Sequence, residues 1–332
     1  MRRTGRPLLI ALVLTLGAAI LAACGSSGGS ATSPGNAPAS SPGNAPVSIR
    51  LAANTNATVL PVWVAIDQGM FTKNGVDVMY TKVGNIDTLP PALGKSFDIV
   101  LSTPASLINA ATNGLSVTWV SGSSINVGDQ TNTRLLASAK SGIKQVSDLK
   151  GKTIGVLTEA GTANIATMYW LKHEGVPLDS VKIIQVNAPA MADQLAAGRV
   201  DAVEAVHPYA QSIINAGAVN LGAPYAHLSP SISGIMWIAQ PDWAKQHSDA
   251  IRAFTKSIGE AQEFIKSNDT AARQILQKYT DLPAAVVAKS VLPLFDTAVR
   301  PQDLTTWLDA MQQVTGFKGS PDLSKLVFTP SS

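Results

Sequence analysis

The stretch PVWVAIDQGMFTKNGVDV, residues 61–78, contains a complete helix-to-strand transition. Pro61 lies in the opening turn of the apolar run, where the fixed φ and missing N–H of proline suit a helix start. Gly75 stands where the helix should end, because glycine adopts the left-handed backbone of a C-terminal cap without steric cost. The β-branched residues that follow predict a strand. The stretch therefore predicts one helix–strand unit of an α/β fold.

The same alternation extends in both directions along the chain. Short β-branched segments are mostly separated by helix-length segments, which is the pattern of parallel βαβ units. Beyond residue 249 the pattern is helical, and Ile251, Phe254 and Ile258 recur at three- and four-residue steps, which predicts one buried helix face. The predicted strands are VSIRLAAN (47–54), VDVMYTKV (76–83), FDIVLST (97–103), SVTWVSG (116–122), KTIGVL (152–157), VKIIQV (181–186), VDAVEAV (200–206) and SGIMWIAQ (233–240).

The single cysteine of the chain, Cys24, follows a basic and then an apolar segment. Arginines at positions 2, 3 and 6 and the apolar run 7–23 have the layout of a secretory signal peptide. The tetrapeptide LAAC at 21–24 resembles a bacterial lipobox, in which the cysteine thiol carries a diacylglycerol. We expect residues 1–23 to be a lipoprotein signal peptide and Cys24 to be lipidated. The alternatives are an uncleaved transmembrane helix, for which the run is short of a span of about 20 residues, and a plain signal peptide with an incidental cysteine.

Residues 24–46 are nearly all Gly, Ser, Ala, Pro, Asn and Thr, and SPGNAP occurs twice. Such a segment has too little apolar surface to offset the entropy of ordering, so we expect a disordered spacer. Of 25 basic residues, three arginines lie in the signal peptide, which leaves 22 basic against 22 acidic residues. This balance, without a basic run, gives no indication of a nucleic-acid partner.

Catalytic and metal motifs are mostly missing. No two glycines stand in a G-x-G relation, and position 146, where a phosphate-binding loop ending in GKT at 151–153 needs glycine, is Val146. HEGVP at 173–177 has Pro177 where a zinc-protease helix needs its second histidine. We therefore expect no metal and no cofactor, and no pair of carboxylates is nominated for catalysis by its spacing.

Four stretches carry a resemblance to a known family: 61–78, FDIVLSTPASL (97–107), VSDLKGKTIGV (146–156) and LAAGRVDAVEAVHPYA (195–210). Their order and spacing resemble the substrate-binding proteins of nitrate, sulfonate and taurine type ABC importers. The resemblance implies an α/β, two-lobed periplasmic-binding-protein fold of type II. Each lobe is then a mostly parallel sheet flanked by helices, with two crossovers at the hinge. We assign residues 47–139 and 234–332 to lobe 1 and residues 140–233 to lobe 2.

In doubly wound sheets the ligand lies at the carboxyl ends of the strands, which selects the loops 54–57, 102–105, 122–126, 158–163 and 204–209. These loops carry hydroxyls and amides but no Lys or Arg. An anionic ligand would then be held by backbone N–H groups at helix N-termini. Tyr209, Trp63 and Trp237 are candidate apolar walls. The candidate ligand-binding residues are Asn54, Thr55, Asn56, Ser102, Thr103, Ser123, Thr158, Gly161, Thr162, Glu204, His207 and Tyr209.

The function that the resemblance implies is a lipid-anchored, extracytoplasmic component of an ABC importer that captures a small polar organic ligand by hinged closure. We take an aliphatic or taurine-like sulfonate as the leading ligand, with Glu204 on a cationic group and donors near Gly161 on an anionic one. A membrane permease is the expected protein partner, and we expect a monomer. The alternatives are a binder of pyrimidine or thiamine precursors, an enzyme on the same fold, and a ligand-sensing lipoprotein.

Overall fold

The computed structural model describes residues 45–280 and 282–329. The predicted signal peptide, Cys24 and nearly all of the predicted spacer lie outside the described residues. The strands are β1 Val47–Ala53, β2 Val76–Lys82, β3 Ile99–Ser102, β4 Thr118–Val127, β5 Thr133–Ala137, β6 Thr153–Val156, β7 Lys182–Gln185, β8 Ala202–Val206, β9 Val219–Gly222, β10 Ser231–Ala239 and β11 Leu294–Phe295.

Helices connect and cover these strands. They are α1 Leu60–Asp67, α2 Met70–Lys73, α3 Pro104–Thr112, α4 Thr162–His173, α5 Met191–Ala196, α6 Tyr209–Asn215, α7 Pro241–Gln246, α8 Ser248–Ser267, α9 Asp269–Thr280, α10 Ala284–Lys289 and α11 Pro301–Val314. Within the described residues, no helix is both long enough and apolar enough to cross a membrane.

The strands form two sheets. The first has the order β11-β4-β10-β3-β1-β2, and the second has the order β7-β6-β8-β5-β9. The chain leaves the first sheet between β4 and β5 and returns between β9 and β10. Two crossovers therefore join the sheets, as predicted.

Both sheets are mixed, and the expectation of mostly parallel sheets was wrong. Strand β1 pairs in parallel with β2 and β3, and β6 pairs in parallel with β7 and β8. Strands β10 and β5, which arrive from the other sheet, pair antiparallel with their neighbours. Two neighbouring strands become parallel when a helix carries the chain back to the end of the sheet at which the first strand began. Strands β5 and β10 follow a crossover between the sheets instead, so they are free to pair antiparallel.

The first crossover lies earlier in the chain than the predicted division at residues 139 and 140. Strand β5 falls on the lobe 1 side of that division but pairs in the second sheet. The segment is five residues long and stands next to a polar loop, so its sequence gave little indication of a strand. The assignment of two lobes that move against each other stays a prediction.

The opening stretch folds largely as predicted. Pro61 is at the start of α1, and Gly75 has φ +86° just before β2. Gly69, at φ +65°, divides the predicted single helix into α1 and α2, since a left-handed residue cannot continue a right-handed helix. The apolar face of α8 packs into the core of the first sheet, with Ile251, Phe254 and Ile258 each at most 1% exposed.

A candidate binding cleft between the two sheets

Two adjoining cavities lie between the sheets. The inner cavity has a volume of about 480 Å³ and the outer cavity about 650 Å³. The walls they share come from both sheets, so the cavities form one continuous cleft. The residues that line both are Asn54, Asn56, Gly84, Leu157, Asn187, Ala188 and Val206.

The cleft lies at the carboxyl ends of the parallel strands, as predicted for this class of sheet. Asn54 follows β1, Thr103 follows β3, Thr158 follows β6 and Asn187 follows β7, and all four line the inner cavity. These residues are up to 133 positions apart in the sequence, between Asn54 and Asn187. The two sheets bring them to a common surface because their parallel strands point towards it.

The structure distributes the predicted site residues over the two cavities. Their roles in ligand binding stay predictions, since the structure fixes only where they lie. The inner cavity is lined by Asn54, Asn56, Thr103, Thr158, Gly161, Thr162 and Glu204, and the outer cavity by Asn54, Thr55, Asn56, His207 and Tyr209.

Ser102 and Ser123 line neither cavity. The Ser123 hydroxyl donates to the Thr58 carbonyl at 2.9 Å, and the Ser102 hydroxyl donates to the Thr103 carbonyl at 3.3 Å. Both side chains lie behind the wall and satisfy buried backbone groups. Trp63 and Trp237, expected as apolar walls, are also core residues, and Trp63 stacks on Tyr279 with 5.1 Å between ring centroids.

Asn56 and Thr103 cap helices in addition to lining the cavity. The Asn56 side chain accepts from the Thr58 N–H at 3.3 Å, and the Thr103 hydroxyl accepts from the Ser106 N–H at 3.1 Å. Each capping bond satisfies an N–H that the helix itself leaves free. The caps orient both side chains towards the cleft and leave their remaining polar capacity for a ligand.

The N-terminus of α4 forms one wall of the inner cavity. Gly161, Thr162 and Ala163 line it, and no side chain caps this helix start. The Thr162 hydroxyl is 3.1 Å from the hydroxyl of Tyr225, another lining residue. The first-turn N–H groups and the helix dipole make this wall favourable for negative charge.

Glu204, on β8, brings a carboxyl group to the inner cavity. Its residue is 1% exposed, and its Oε2 accepts a hydrogen bond from the Thr167 hydroxyl at 2.8 Å. Burial raises the pKa of Glu204 to about 8, and the Thr167 bond opposes that shift. No described Lys or Arg lines the inner cavity, and the acidic side chains in its wall are those of Asp87 and Glu204.

Two buried polar atoms in the inner wall have no partner. The Thr58 hydroxyl belongs to a residue that is 2% exposed, and neither it nor Asn132 Oδ1 makes a hydrogen bond within the described chain. Buried polar groups are normally hydrogen-bonded, and leaving one unmade costs about 1–3 kcal/mol. A polar ligand in the inner cavity would supply the missing partners.

His207 lies at the boundary between the outer cavity and a third cavity of about 460 Å³ that also contains Arg134. It is 7% exposed, and its Nδ1 has no partner in the described residues. Burial, with the nearby Arg134 charge, lowers the pKa of His207. The imidazole is therefore neutral at pH 7 and can accept or donate a hydrogen bond to a ligand.

Several lining residues were missed by the sequence analysis. Lys82, Gly84 and Asp87 come from the end of β2 and the loop after it, and Asn187 follows β7. The strand-end rule already applied to these two predicted strands, so the sequence did contain that indication. Thr58 directly follows the selected loop 54–57, at a helix start. Asn132 and Tyr225 had no such indication, because they reach the cavity from the crossovers. Among the described residues, no group of three or more His, Cys, Asp or Glu side chains is placed to hold a metal ion.

A family model described as NMT1/THI5 like matches residues 56–272. The chain belongs to the NMT1/THI5-like family. The match begins just after β1, covers the other parallel strands of both sheets, and includes most of the lining residues of the cleft.

One relative and two solved structures show what the chain is similar to. The taurine-binding periplasmic protein of Escherichia coli is 26% identical over 136 residues, which cover 41% of this chain and 42% of that protein. The periplasmic aliphatic sulphonate binding protein SsuA from Escherichia coli superimposes with a TM-score of 0.74 at 16% identity, covering 86% of this chain and 94% of that one. The periplasmic nitrate-binding protein NrtA from Synechocystis PCC 6803 superimposes with a TM-score of 0.70 at 15% identity, covering 85% of this chain and 86% of that one. The chain therefore has the periplasmic-binding-protein fold, and the resemblance drawn from sequence motifs is confirmed.

Proposed function

We propose that this member of the NMT1/THI5-like family is the extracytoplasmic substrate-binding component of an ABC importer, and that its ligand is a small zwitterion with an amine and an anionic group. A taurine-like aminosulfonate is the leading candidate. The observation that carries the proposal is Glu204, a buried carboxyl in the wall of a cavity that has an uncapped helix N-terminus in another wall.

Glu204 supports a cationic group on the ligand. The cavity offers its carboxyl one hydrogen bond, from Thr167, and burial disfavours its charged form. An ammonium group brought into contact with it would stabilise the carboxylate through a desolvated, charge-assisted pair. Removing one partner of such a pair typically costs about 2–5 kcal/mol.

The α4 N-terminus supports an anionic group on the same ligand. Backbone N–H groups around Thr162 and Ala163, together with the unpartnered Thr58 hydroxyl, are donors without a positive side chain. Such donors suit a singly charged group with several oxygens, as in a sulfonate. A plain anion such as nitrate would meet these donors but would leave the Glu204 carboxyl buried and without a cation.

The chemistry of Glu204 also favours a second candidate, an aminopyrimidine or related thiamine precursor. A buried carboxylic acid can donate one hydrogen bond and accept another, which matches the ring nitrogen and exocyclic amine of such a heterocycle. Tyr225, beside Thr162 in the inner cavity, offers an aromatic face.

The outer cavity leads from the inner one and contains Lys82 and His207 in its wall. We propose that ligands enter through it and that the two sheets close around them, since a cleft with walls from both sheets excludes water when it narrows. The gain on closure is the difference in ligand affinity between the closed and open states. We further propose that the protein acts as a monomer anchored through Cys24, which delivers the ligand to a membrane permease.

A thermal-shift screen of the purified protein tests the ligand class. The matched compounds are taurine, ethanesulfonate, ethylamine, sodium nitrate and 4-amino-2-methylpyrimidine. A ligand at 100 times its Kd should stabilise the protein by about 2.7 kcal/mol, which is readily measured. We expect taurine to give the largest shift, and an equal shift with ethanesulfonate would contradict the zwitterion.

Transport is tested separately in cells. Uptake of labelled ligand by cells carrying the chain and its membrane permease should be lost when the chain is deleted. Binding without any effect on uptake would instead favour the ligand-sensing lipoprotein, and turnover of the ligand would favour the enzyme.

A further inference from the structure

Thr167 holds the carboxyl group of Glu204. Its hydroxyl donates to Glu204 Oε2 at 2.8 Å, and the two residues are 0% and 1% exposed. Within the described part of the chain, the Glu204 carboxyl makes no other hydrogen bond. Thr167 belongs to α4, the same helix whose N-terminus lines the inner cavity, so one helix lies at the proposed anionic end of the ligand and positions the carboxyl for its cationic end.

A hydroxyl that donates to a carboxylate favours the charged form of that carboxylate. Burial acts in the opposite direction and is the larger effect, because the pKa of Glu204 is raised to about 8. Without a ligand, Glu204 is therefore mostly protonated at pH 7. A cationic ligand needs the carboxylate, so the proton must leave when such a ligand enters.

We propose that Thr167 is a positioning residue that sets how readily Glu204 gives up its proton, and that a cationic ligand binds by exchanging for that proton. The inference rests on the proposed function, since it assigns a cation to this site. In the exchange, the ammonium group takes the place of the proton beside the carboxylate, and the proton passes to water. Only a cationic ligand gains from the release of this proton, so pH should change the affinity for cationic ligands and not for uncharged or purely anionic ones.

The other ionisable groups around Glu204 do not supply the missing positive charge. Burial raises the pKa of Tyr225, so its phenol stays neutral. His207 has a lowered pKa and is neutral at pH 7. Asp87, which follows β2 of the first sheet, lines the same cavity and is itself an acid.

Arg134 is on the neighbouring strand β5 but on its other face. It is opposite Ala205 in the antiparallel register, whereas Leu135 is opposite Glu204. Because successive side chains of a strand point to opposite faces, Arg134 and Glu204 lie on different sides of the sheet. The Arg134 guanidinium donates instead to the Thr131 hydroxyl at 3.0 Å and the Thr133 carbonyl at 3.3 Å. None of these described groups places a positive charge beside Glu204, so a cationic ligand would be the counter-ion of its carboxylate.

The first experiment needs no ligand. Carbon-13 NMR of glutamate carboxyls, with Glu204 assigned from the Glu204→Gln variant, gives its titration midpoint in the wild type, Thr167→Val and Thr167→Ser. Thr167→Val keeps the shape of the side chain and removes the donor. We expect its midpoint to rise by about one pH unit, because a hydrogen bond to a charged group is worth roughly that much. Thr167→Ser keeps the hydroxyl and should restore the wild-type midpoint, whereas equal midpoints in all three proteins would overturn the role of Thr167.

The second experiment measures the exchange with taurine and, as the matched probe without an amine, ethanesulfonate. Calorimetry between pH 6 and 7.5, in buffers with different ionisation enthalpies, counts the protons released. We expect close to one proton per taurine, and an affinity that rises about tenfold per pH unit below the Glu204 midpoint, as a competing proton requires. Thr167→Val should bind taurine about tenfold more weakly at pH 7 and ethanesulfonate equally well.

The two experiments separate the two hypotheses. If taurine binds without releasing a proton, or with an affinity independent of pH, the exchange is wrong although the zwitterion site stands. If no amine-bearing compound binds at all, the proposed ligand is wrong, and the NMR midpoints still decide whether Thr167 controls Glu204. Circular dichroism spectra matching the wild type show that the Thr167 variants are folded.

Discussion

Asp303 on α11 accepts a hydrogen bond from the backbone N–H of Ser233 on β10, with 2.8 Å between Oδ2 and the nitrogen. The Ser233 carbonyl accepts a second bond, from Trp307 Nε1 at 2.9 Å. Both backbone polar groups of Ser233 are thus held by one helix at the point where the chain re-enters the first sheet. Trp307 also belongs to an apolar cluster with Ala105 of α3 and Ile165 of α4, so α11 packs against helices that flank each sheet.

We predict that Asp303→Ala destabilises the protein by about 1–3 kcal/mol, because it leaves the buried Ser233 N–H without its acceptor. Asp309→Ala is the matched control, since Asp309 is exposed on the same helix and its bond to Gln313 is on the surface. Urea denaturation of both variants measures the difference. Equal midpoints for the two would show that the Asp303 contact does not stabilise the fold.

Glu204→Gln tests the charge recognition. The variant keeps the shape and an acceptor for Thr167 but cannot become a carboxylate. We expect at least a roughly 30-fold loss of affinity for taurine, at the lower end of the 2–5 kcal/mol range for a broken charge pair. Calorimetry at pH 7.5 measures it, with ethanesulfonate as the control ligand that should be affected little. A loss below threefold would rule out the aminosulfonate while leaving the binding-protein assignment in place.

The raised pKa of Glu204 also predicts a pH dependence of stability. The unfolded carboxyl titrates near pH 4.3 and the folded one at about pH 8, so between these values the folded state binds more protons. The stabilisation is complete below the unfolded pKa and is lost as pH rises through about 8. As the pH rises from about 4.3 to about 8, the free energy of unfolding of the wild type should therefore fall relative to that of Glu204→Gln, by at most about 1.4 kcal/mol per pH unit. Ligand-free denaturation at pH 5, 7 and 9 checks this, and a constant difference would contradict the buried, protonated carboxyl.

Gly122 lies in β4, where a Cβ would be 2.4 Å from the Asp296 carbonyl oxygen and 2.8 Å from that of Ala298. We expect Gly122→Ala to cost about 1–3 kcal/mol, because the clash is with backbone and cannot be relieved by a rotamer change. Gly259→Ala is the control within helix α8, where a Cβ meets no atom within 4 Å and alanine should stabilise by about 0.5–1 kcal/mol. Thermal melts that shift in the same direction for both variants would contradict the packing described for β4.

Cys24→Ser tests the proposed anchor. If the thiol carries a lipid, the variant should move from the membrane fraction to the soluble fraction, because buried acyl chains contribute about 0.8 kcal/mol per CH₂. Fractionation followed by immunoblotting measures the distribution, and ligand affinity should be unchanged since the cleft lies in the described residues 45–280 and 282–329. Membrane retention of the variant equal to that of the wild type would rule out lipidation at this position.

The sequence indicated most strands because their signals are local. β-branched runs predicted seven strands and the late strand β10, and the caps at Pro61 and Gly75 located the first helix–strand unit. Strands β5, β9 and β11 were missed. They contain at most one β-branched residue each, and they exist because a neighbour offers free backbone groups, as β8 does for β5. No local pattern records such a neighbour.

The site divides in the same way. By itself, the sequence determined that polar loops without arginine follow the parallel strands. It also placed Glu204 near the carboxyl end of a predicted strand, since strand direction and side-chain type are properties of the chain itself. Only the tertiary structure decided that Ser102 and Ser123 lie behind the wall, that Thr58, Asn132 and Tyr225 reach the cavity, and that Glu204 contacts Thr167. These outcomes depend on how the two sheets and α4 pack together, because burial and hydrogen-bond partners are set by distances between residues far apart in the sequence.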